Sequence, residues 1–340
     1  MKKITYIFLL LVSMASTSCL TAFDPDFTET PVIYLEAFPG KDADKVEFKI
    51  QPGYSRSNTP EILPFKPEII FEVNGTVIPV ECLDVDGGYY VAAYTPVPGD
   101  KLSVSVSSEG FTSIHAQTSI PEAFPERKID YRQVQSGLNE YDNVLFVTFS
   151  GADPKCSYGM YIWSETEYYL ESGTEVYTYA YSGEIYPDPS DAAFGIVPAS
   201  LEAIELHFDN AWFWTWEGKK LDPQSCTLSI EPKAYRYGHE LSYESFFGTY
   251  GETEIYDDEE YVKHKVQYFE HNKIMLVTMS EEFYKYQVAQ QLEGDYSGLL
   301  GFIAPSSYCY SNINNGYGAF AGVSIIETDW ITKEFIENNR

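Results

Sequence analysis

Short segments in which apolar and polar residues alternate restrict this chain to a β-rich fold. Alternation with period two gives a strand one face for a core and one face for solvent. Seven such segments precede residue 121, separated by Gly, Pro and Asp: Val32 to Leu35, Val46 to Ile50, Ile69 to Val73, Val77 to Cys82, Tyr89 to Tyr94, Leu102 to Val106 and Ile114 to Ile120. Their number and spacing predict an antiparallel sandwich of immunoglobulin or transthyretin type over residues 31–120.

Turn sequences join several of these strands. VNGTV and VDGGYY contain Asn-Gly and Asp-Gly-Gly, which accept the positive φ that tight hairpins require. They predict two β-hairpins within the sandwich.

The rest of the chain is predicted to form a second, larger antiparallel β-domain, either a sandwich or a barrel, over residues 130–340. A linker at 121–129 contains Pro121 and Pro125, and period-two segments such as NVLFVTFS, AIELHF and CTLSIEP follow it. With 44% hydrophobic and 16% aromatic residues, the chain can fill such a core. One helix is expected at about 280–292, because Ser280 can cap it, two glutamates suit its first turn and Gly294 suits its end.

The N-terminus has the pattern of a lipoprotein signal. Residues 1–18 combine two lysines, an apolar segment at 4–12 and a run of small residues, Ser16 to Ser18. The apolar segment is too short to span a membrane, which takes roughly 20 residues. Cys19 follows the small residues directly, so we expect cleavage before Cys19, its acylation, and a tether over residues 19–30. An ordinary secretory signal with an incidental cysteine is the alternative.

Charge and cysteine spacing exclude other classes of partner and site. The net charge of −29 opposes binding to nucleic acid or to anionic lipid headgroups. The remaining cysteines, Cys82, Cys156, Cys226 and Cys309, are far apart and include no CxxC pair, so a zinc site is not expected. They predict at most one disulfide in the second domain or, equally, four free thiols.

The sequence lacks the common catalytic motifs. It contains no GxSxG, HExxH or GxxxxGK pattern. His264 and His271 are seven residues apart, so a regular strand would place them on opposite faces. The sequence therefore predicts a protein that is not an enzyme, with no catalytic residues, no cofactor and no metal.

A row of tryptophans in AWFWTWEGKK is the candidate binding feature. On a strand, Trp212, Trp214 and Trp216 project to one face. Such a row can fill a sheet core, dock on a protein partner, or stack against a glycan or small nutrient. The sequence leaves all three open.

The stretch SSYCYSNINNGYGAFAG at residues 306–322 has a different character. Its glycines permit positive φ and close backbone approach, and its asparagines suit turns. Its apolar side chains can anchor it to a core. We interpret the stretch as a structural loop that leads into the last strand, defined by Ser311, Asn312, Ile313, Gly316, Gly318 and Phe320.

The order of these features resembles a known family. A helix, the loop SNINNGYGAFAG and a last strand VSIIE follow a lipobox and a sandwich that ends in TSIP. In this order the chain resembles the domain-of-unknown-function 4249 family of Bacteroidetes-type lipoproteins. The resemblance implies an outer-membrane lipoprotein whose gene commonly neighbours a TonB-dependent receptor, and it implies no catalytic residues.

We therefore expect a lipid-anchored protein, on the periplasmic face or the cell surface, that assists a TonB-dependent outer-membrane receptor in nutrient capture or gating. A glycan-active surface enzyme and a structural or adhesive surface protein are the alternatives.

Overall fold

The protein is mainly β, as the sequence predicts. The computed structural model describes residues 31–42, 44–53, 64–135, 141–170, 175–187, 205–208, 211–233, 245–257, 262–296 and 310–340. In these residues the strands form three sheets, and two α-helices pack against them. Two of the sheets make the N-terminal sandwich, and the third makes the larger second unit.

The N-terminal sandwich consists of two facing sheets. The first contains β1 (Val32–Ala37), β2 (Val46–Gly53), β5 (Glu81–Asp84), β6 (Tyr89–Ala92) and β18 (Tyr317–Phe320), in the order β18–β1–β2–β6–β5. The second contains β3 (Glu68–Val73), β4 (Thr76–Ile78), β7 (Lys101–Ser107) and β8 (Ile114–Ser119), in the order β4–β3–β7–β8. Alternate residues of both sheets share one core, including Leu35, Phe48, Phe71 and Val104. Both predicted hairpins are confirmed, at β3–β4 and at β5–β6.

A C-terminal strand completes this N-terminal sandwich. β18 pairs in parallel with β1, with Tyr34 opposite Tyr317 and Ala37 opposite Phe320. It comes from the range predicted for the second domain, so a boundary at residue 120 does not separate the two units. Pairing between strands almost 300 residues apart leaves no trace in local alternation.

The third sheet is built around the antiparallel pair of β11 and β17. Its strands are β9 (Arg127–Gln135), β10 (Tyr141–Phe149), β11 (Ser157–Leu170), β12 (Glu175–Pro187), β13 (Glu205–Phe208), β14 (Ala211–Glu217), β15 (Cys226–Lys233), β16 (Thr249–Asp257), β17 (Val262–Met279) and β19 (Val323–Glu327). β11 and β17 pair from Ser157 to Leu170. The other edge of β11 is shared by β14 and β12, and the other edge of β17 by β16 and β19.

This sheet folds back on itself to make two layers. Leu145 and Val147 of β10 share a core with Met160 of β11 and with Ile274 and Leu276 of β17. Among the described strands the path stays open, running from β13 at one end to β9 at the other. The sandwich form of the prediction is therefore the one observed.

The predicted helix is present and lies between the two units. α1 (Glu281–Tyr296) packs Phe283 against Val277 and Met279 of β17, and Phe38 of the N-terminal sandwich joins the same cluster. The helix continues past Gly294, which was expected to end it. An interior glycine costs a helix only about 1 kcal/mol relative to alanine, so the helix can continue through it.

A second helix was not predicted from the sequence. α2 (Lys333–Asn339) begins at Thr332, whose hydroxyl accepts a hydrogen bond from the N–H of Phe335. Ile336 is buried in the core of the second unit.

Neither of the helices described has the length and apolar character needed to cross a bilayer. Of the cysteines within the described ranges, Cys82 and Cys156 are free thiols, and Cys226 is buried. Cys19 and Cys309 lie outside those ranges.

Candidate functional site

The sequence-predicted residues fall in three places. The proposed lipid anchor, Cys19, lies with the signal and the tether outside the described residues. The tryptophan row is on β14, and residues 310–322 of the structural loop run along the N-terminal sandwich. Of the described features, Trp216 belongs to the core of the second unit, whereas Ile313 and Phe320 of the loop belong to the core of the N-terminal sandwich.

The tryptophan row lies on a strand at one edge of β11. Trp216 is opposite Tyr158 and Trp214 is opposite Met160, while Trp212 is opposite His207 of β13. Trp216 is buried in the core of the second unit. The side chains of Trp212 and Trp214 are not among those described. At Trp216, therefore, the contacts are those of a sheet core.

The structural loop pairs with itself through an asparagine. The side-chain amide of Asn312 donates to the carbonyl of Phe320 at 2.8 Å, and the N–H of Phe320 donates to Oδ1 of Asn312 at 2.9 Å. Ser311 Oγ accepts from the N–H of Ile313 at 3.2 Å. The side-chain amide of Asn312 thus makes the two hydrogen bonds that a neighbouring strand would make with its backbone. These bonds hold the beginning of the loop against the end of β18.

The same loop is bonded to both sheets of the N-terminal sandwich. β18 pairs with β1 in the first sheet, and Asn314 exchanges two backbone hydrogen bonds with His115 of β8 in the second. The N–H of Gly322 donates to Oγ1 of Thr118 at 2.9 Å. Ile313 and Phe320 are buried in the sandwich core. These contacts close one side of the sandwich.

Glycines allow the close backbone approach that this arrangement needs. Gly318 has a φ of +107°, and a Cβ built there would lie 2.0 Å from the carbonyl oxygen of Leu35. A Cβ at Gly322 would lie 2.0 Å from the oxygen of Ser119, and one at Gly316 would lie 2.6 Å from that of Ile33. No larger residue fits at these three positions without moving the backbone.

A hydrogen-bonded cluster joins α1 to the N-terminal sandwich. Both Tyr34 and Tyr286 donate to Oε2 of Glu36, at 2.5 and 2.7 Å, and their hydroxyls are 3.0 Å apart. Burial, followed by the hydrogen bond to Glu36, raises the pKa of Tyr34 to about 12. Burial, followed by the hydrogen bond with Tyr34, also raises the pKa of Tyr286 above its ordinary value. The cluster fixes the helix to β1.

A polar cleft of about 780 Å³ lies where the second sheet of the sandwich meets the first turn of α1. Outward-facing side chains of β3, β7 and β8 line it, among them Glu72, Lys101, Ser103 and Gln117, and Glu282 of α1 closes one side. Ser103 donates to Oε2 of Glu72 at 3.1 Å. The volume suits a small ligand, and the lining offers both charges and neutral hydrogen-bonding groups. The cleft can therefore hold a small polar molecule.

Sequence reasoning did not single out the cleft residues. Glu72, Ser103 and Gln117 are outward-facing polar residues of alternating strands, a pattern that by itself predicts only a solvated face. It is the docking of α1, from more than 150 residues later in the chain, that turns this face into a cleft.

Metal-binding chemistry has no support from the side-chain positions that are described. Among them, no group of three or more His, Cys, Asp or Glu side chains could hold a metal ion. His264 and His271 both lie on β17, and its unbroken register with β16 and β11 assigns them to opposite faces, as their spacing predicts.

Comparison with known proteins gives a family but no activity. No curated protein matches the chain. Among solved structures, a biofilm associated protein B domain is similar at 8% identity over 88% of this chain and 86% of that one, with a TM-score of 0.17, too low to carry an argument about fold or function. The model of one family, described as a domain of unknown function (DUF4249), matches residues 21–328. The resemblance seen in the helix, the loop and the last strand is thereby confirmed, and the chain belongs to the DUF4249 family.

Proposed function

We propose that the protein is an outer-membrane lipoprotein, anchored through acylated Cys19, that assists a TonB-dependent transporter in capturing or gating a nutrient and catalyses no reaction itself. The observation that carries this proposal is the position of Cys19, directly after an apolar segment and three small residues. A lipid attached there would hold the whole fold at a membrane surface.

The short distance between anchor and fold supports an accessory role. Val32, where β1 begins, is the thirteenth residue after Cys19. Even fully extended, this segment spans at most about 45 Å, at about 3.5 Å per residue. A fold tethered so closely can reach the mouth of a transporter in the same membrane.

The polar cleft supports the capture of a nutrient. It lies at the junction of two structural units, where ligand sites are common. Its charged and amide side chains suit a small polar molecule. In this proposal the cleft, or a neighbouring surface, holds the nutrient before transfer.

The anchor is tested by replacing Cys19 with Ser. The variant should lose acylation and move from the membrane fraction to the soluble fraction. Mass spectrometry of the N-terminal peptide gives the acylation state, and Cys82→Ser, which removes an exposed thiol far from the signal, is the matched control. If the Cys19→Ser protein stays in the membrane fraction, the anchor lies elsewhere.

The transporter partnership is tested by recovering the anchored protein in mild detergent. A TonB-dependent barrel should co-purify with the native chain, and transport of its nutrient should fall when the gene is deleted. Good recovery of the protein with no barrel would contradict the proposal. In that case, turnover of a polysaccharide panel would indicate a glycan-active enzyme, and binding to matrix proteins would indicate an adhesive role.

A further inference from the structure

We propose that one partly buried face of the β11–β17 sheet binds the cationic side chain of a peptide, the ammonium of lysine or the guanidinium of arginine. The face is formed by Trp163, Glu165, Glu167, Tyr169, Phe269 and His271, called here the aromatic–carboxylate face. It is distinct from the polar cleft. The proposal does not depend on the lipid anchor or on a transporter.

Among the described residues, the face is the half of the β11–β17 surface that is not packed under α1. Odd-numbered residues of β11 and β17 point away from the core of the second unit. At one end of the strands, Tyr161, Val277 and Met279 pack with α1. Beyond Tyr161, the odd-numbered positions of β11 are only partly buried. A merely solvated strand would carry small polar or charged residues there, but this one carries aromatic rings beside carboxylates.

Two carboxylates on this face are held by aromatic donors. Nε1 of Trp163 donates to Oε1 of Glu165 at 3.0 Å, and the hydroxyl of Tyr169 donates to Oε2 of Glu167. The second oxygen of each carboxylate, Glu165 Oε2 or Glu167 Oε1, lies 3.7 Å from Nε2 of His271. Those two oxygens therefore converge on one place.

His271 marks the centre of this convergence. Its side chain is only 12% exposed, and its Nε2 is buried without a hydrogen-bond partner. The imidazole stacks on Trp330 with ring centroids 3.6 Å apart, and Phe269 meets it edge-on at 5.0 Å. The ring is thus fixed in place, while its Nε2 lies 3.7 Å from two carboxylate oxygens, too far for a direct hydrogen bond to either. A small donor group between them would satisfy all three atoms.

Apart from His271, whose imidazole is a cation only when protonated, no lysine or arginine of the described side chains pairs with the two carboxylates. Lys273 is the nearest lysine along β17, but it pairs with Glu327 at 3.0 Å and lies 4.1 Å above the ring of Trp330. Lys265, further along β17, pairs with Glu252 of β16. The side chains of Glu165 and Glu167 are 27% and 29% exposed, so two like charges lie close together where water reaches them only in part. Such a pair favours a bound cation.

The surrounding rings favour an organic cation rather than a neutral sugar. A cation near an aromatic face gains electrostatic energy from the ring, and the methylenes of lysine or arginine can lie along apolar surface. Phe269 is 38% exposed and is opposite Tyr250, which is 64% exposed. These two rings therefore offer an apolar surface against which those methylenes can pack. The net charge of −29 attracts cationic ligands from a distance. A sugar would stack on the same rings but would leave both charges unneutralised.

The test uses the full-length protein carrying Cys19→Ser, titrated with the tripeptides Gly-Lys-Gly, Gly-Arg-Gly and Gly-Gln-Gly. Binding is followed by tryptophan fluorescence and by NMR chemical-shift changes. The lysine and arginine peptides should bind at least about tenfold more tightly than the glutamine peptide, with an affinity that falls as salt is raised. Glu165→Gln/Glu167→Gln should lose most of this preference. Glu252→Gln, an exposed carboxylate on neighbouring β16, should retain it.

The outcomes separate the possibilities. Equal affinity for the three peptides, or an unchanged preference in a double variant whose melting temperature matches the parent, would overturn the proposal. If the double variant unfolds, the single Glu167→Gln variant is measured against the same criterion. Binding of neutral cellohexaose that is lost in Phe269→Ala, without peptide binding, would also overturn it in favour of a glycan surface. None of these results would bear on the anchor or on the transporter partnership.

Discussion

Gly318 illustrates how a single residue fixes the C-terminal loop to the first sandwich. Its φ of +107° is strained for any residue with a side chain, and a Cβ there would meet the backbone oxygen of Leu35. Two separate penalties therefore apply to a larger residue at this position. One is the local conformation, which costs on the order of 1 to 3 kcal/mol, and the other is displacement of β18 from β1.

Gly318→Val should lower the free energy of unfolding by more than conformational strain alone. The matched control is Gly75→Val in the β3–β4 turn, where φ is +80° but a Cβ would meet nothing within 4 Å. Urea denaturation of both variants, in the Cys19→Ser protein, separates the two penalties, and Gly318→Val should be clearly the less stable. Equal losses would show that β18 is not held by this close approach, and the loop would then become a candidate ligand site.

At this scale the sequence predicted types of contact but not the partners. Glycine and asparagine in the stretch at 306–322 indicated a turn-rich structural loop. The partners of Asn314 and Gly322 are His115 and Thr118, each about 200 residues away, and no local pattern reports them. Trp216 is similar, because alternation assigns it to one face of β14, but only the path of the whole sheet makes that face a core.

Among the elements, α1 shows what the sequence can and cannot specify. Its start follows from Ser280, whose Oγ accepts from the N–H of Phe283 at 3.2 Å, and from glutamates at the first two positions. Its orientation depends on contacts with both units, through Phe283 and through the bond from Tyr286 to Glu36. The cap is local and was predicted, whereas the docking is not local and was not.

Ser280→Ala should destabilise the protein by about 0.5 to 2 kcal/mol, the usual cost of removing a helix cap. Ser280→Thr keeps a hydroxyl at the cap and should recover most of the loss. The N–H of residue 280 donates to the carbonyl of Gly322 in either variant, so backbone pairing with the loop is kept. Chemical denaturation gives the comparison. An alanine variant as stable as the parent would mean that tertiary packing alone fixes the start of α1.

Across the whole molecule, partly buried tyrosines predict a loss of stability in alkali. Four tyrosines have a pKa of about 12: Tyr34, Tyr94, Tyr284 and Tyr310. In each of them burial is the main cause of the raised pKa, and a neighbouring carboxylate raises it further. In the unfolded chain, tyrosine ionises near pH 10. The contribution to stability is therefore complete below about pH 10 and is lost as the pH rises from about 10 towards 12.

Urea unfolding between pH 8 and 11.5 measures this effect. The free energy of unfolding should be nearly constant up to about pH 10 and should then fall. Tyr34→Phe and Tyr94→Phe should each make the fall shallower, because the phenylalanine has no hydroxyl to ionise. A free energy that stays level to pH 11.5 would show that these hydroxyls are no harder to ionise in the fold than in the unfolded chain.

The shared strand makes the two units depend on each other. Ile313 and Phe320 belong to the core of the N-terminal sandwich although they follow almost the whole second unit in the chain. Loss of a buried phenylalanine side chain alone costs about 3 to 5 kcal/mol, a large part of the roughly 5 to 15 kcal/mol that stabilises a domain. A fragment without β18 also leaves an edge of β1 unpaired. Alternation in residues 31–120 predicts a sandwich but cannot show that this sandwich needs a strand from elsewhere.

A fragment of residues 20–126 should therefore fail to fold cooperatively, although it contains every strand predicted for the sandwich. The Cys19→Ser full-length protein should instead unfold in a single transition, measured by circular dichroism and by tryptophan fluorescence together. A synthetic peptide of residues 310–323 added to the fragment should restore β-sheet signal and protease resistance, because it supplies β18 and the bridge to His115. The same peptide with Gly318→Val should not, since its Cβ would meet Leu35. A fragment that melts cooperatively within a few degrees of the full-length protein would show that the sandwich is an independent domain and that β18 only covers its edge.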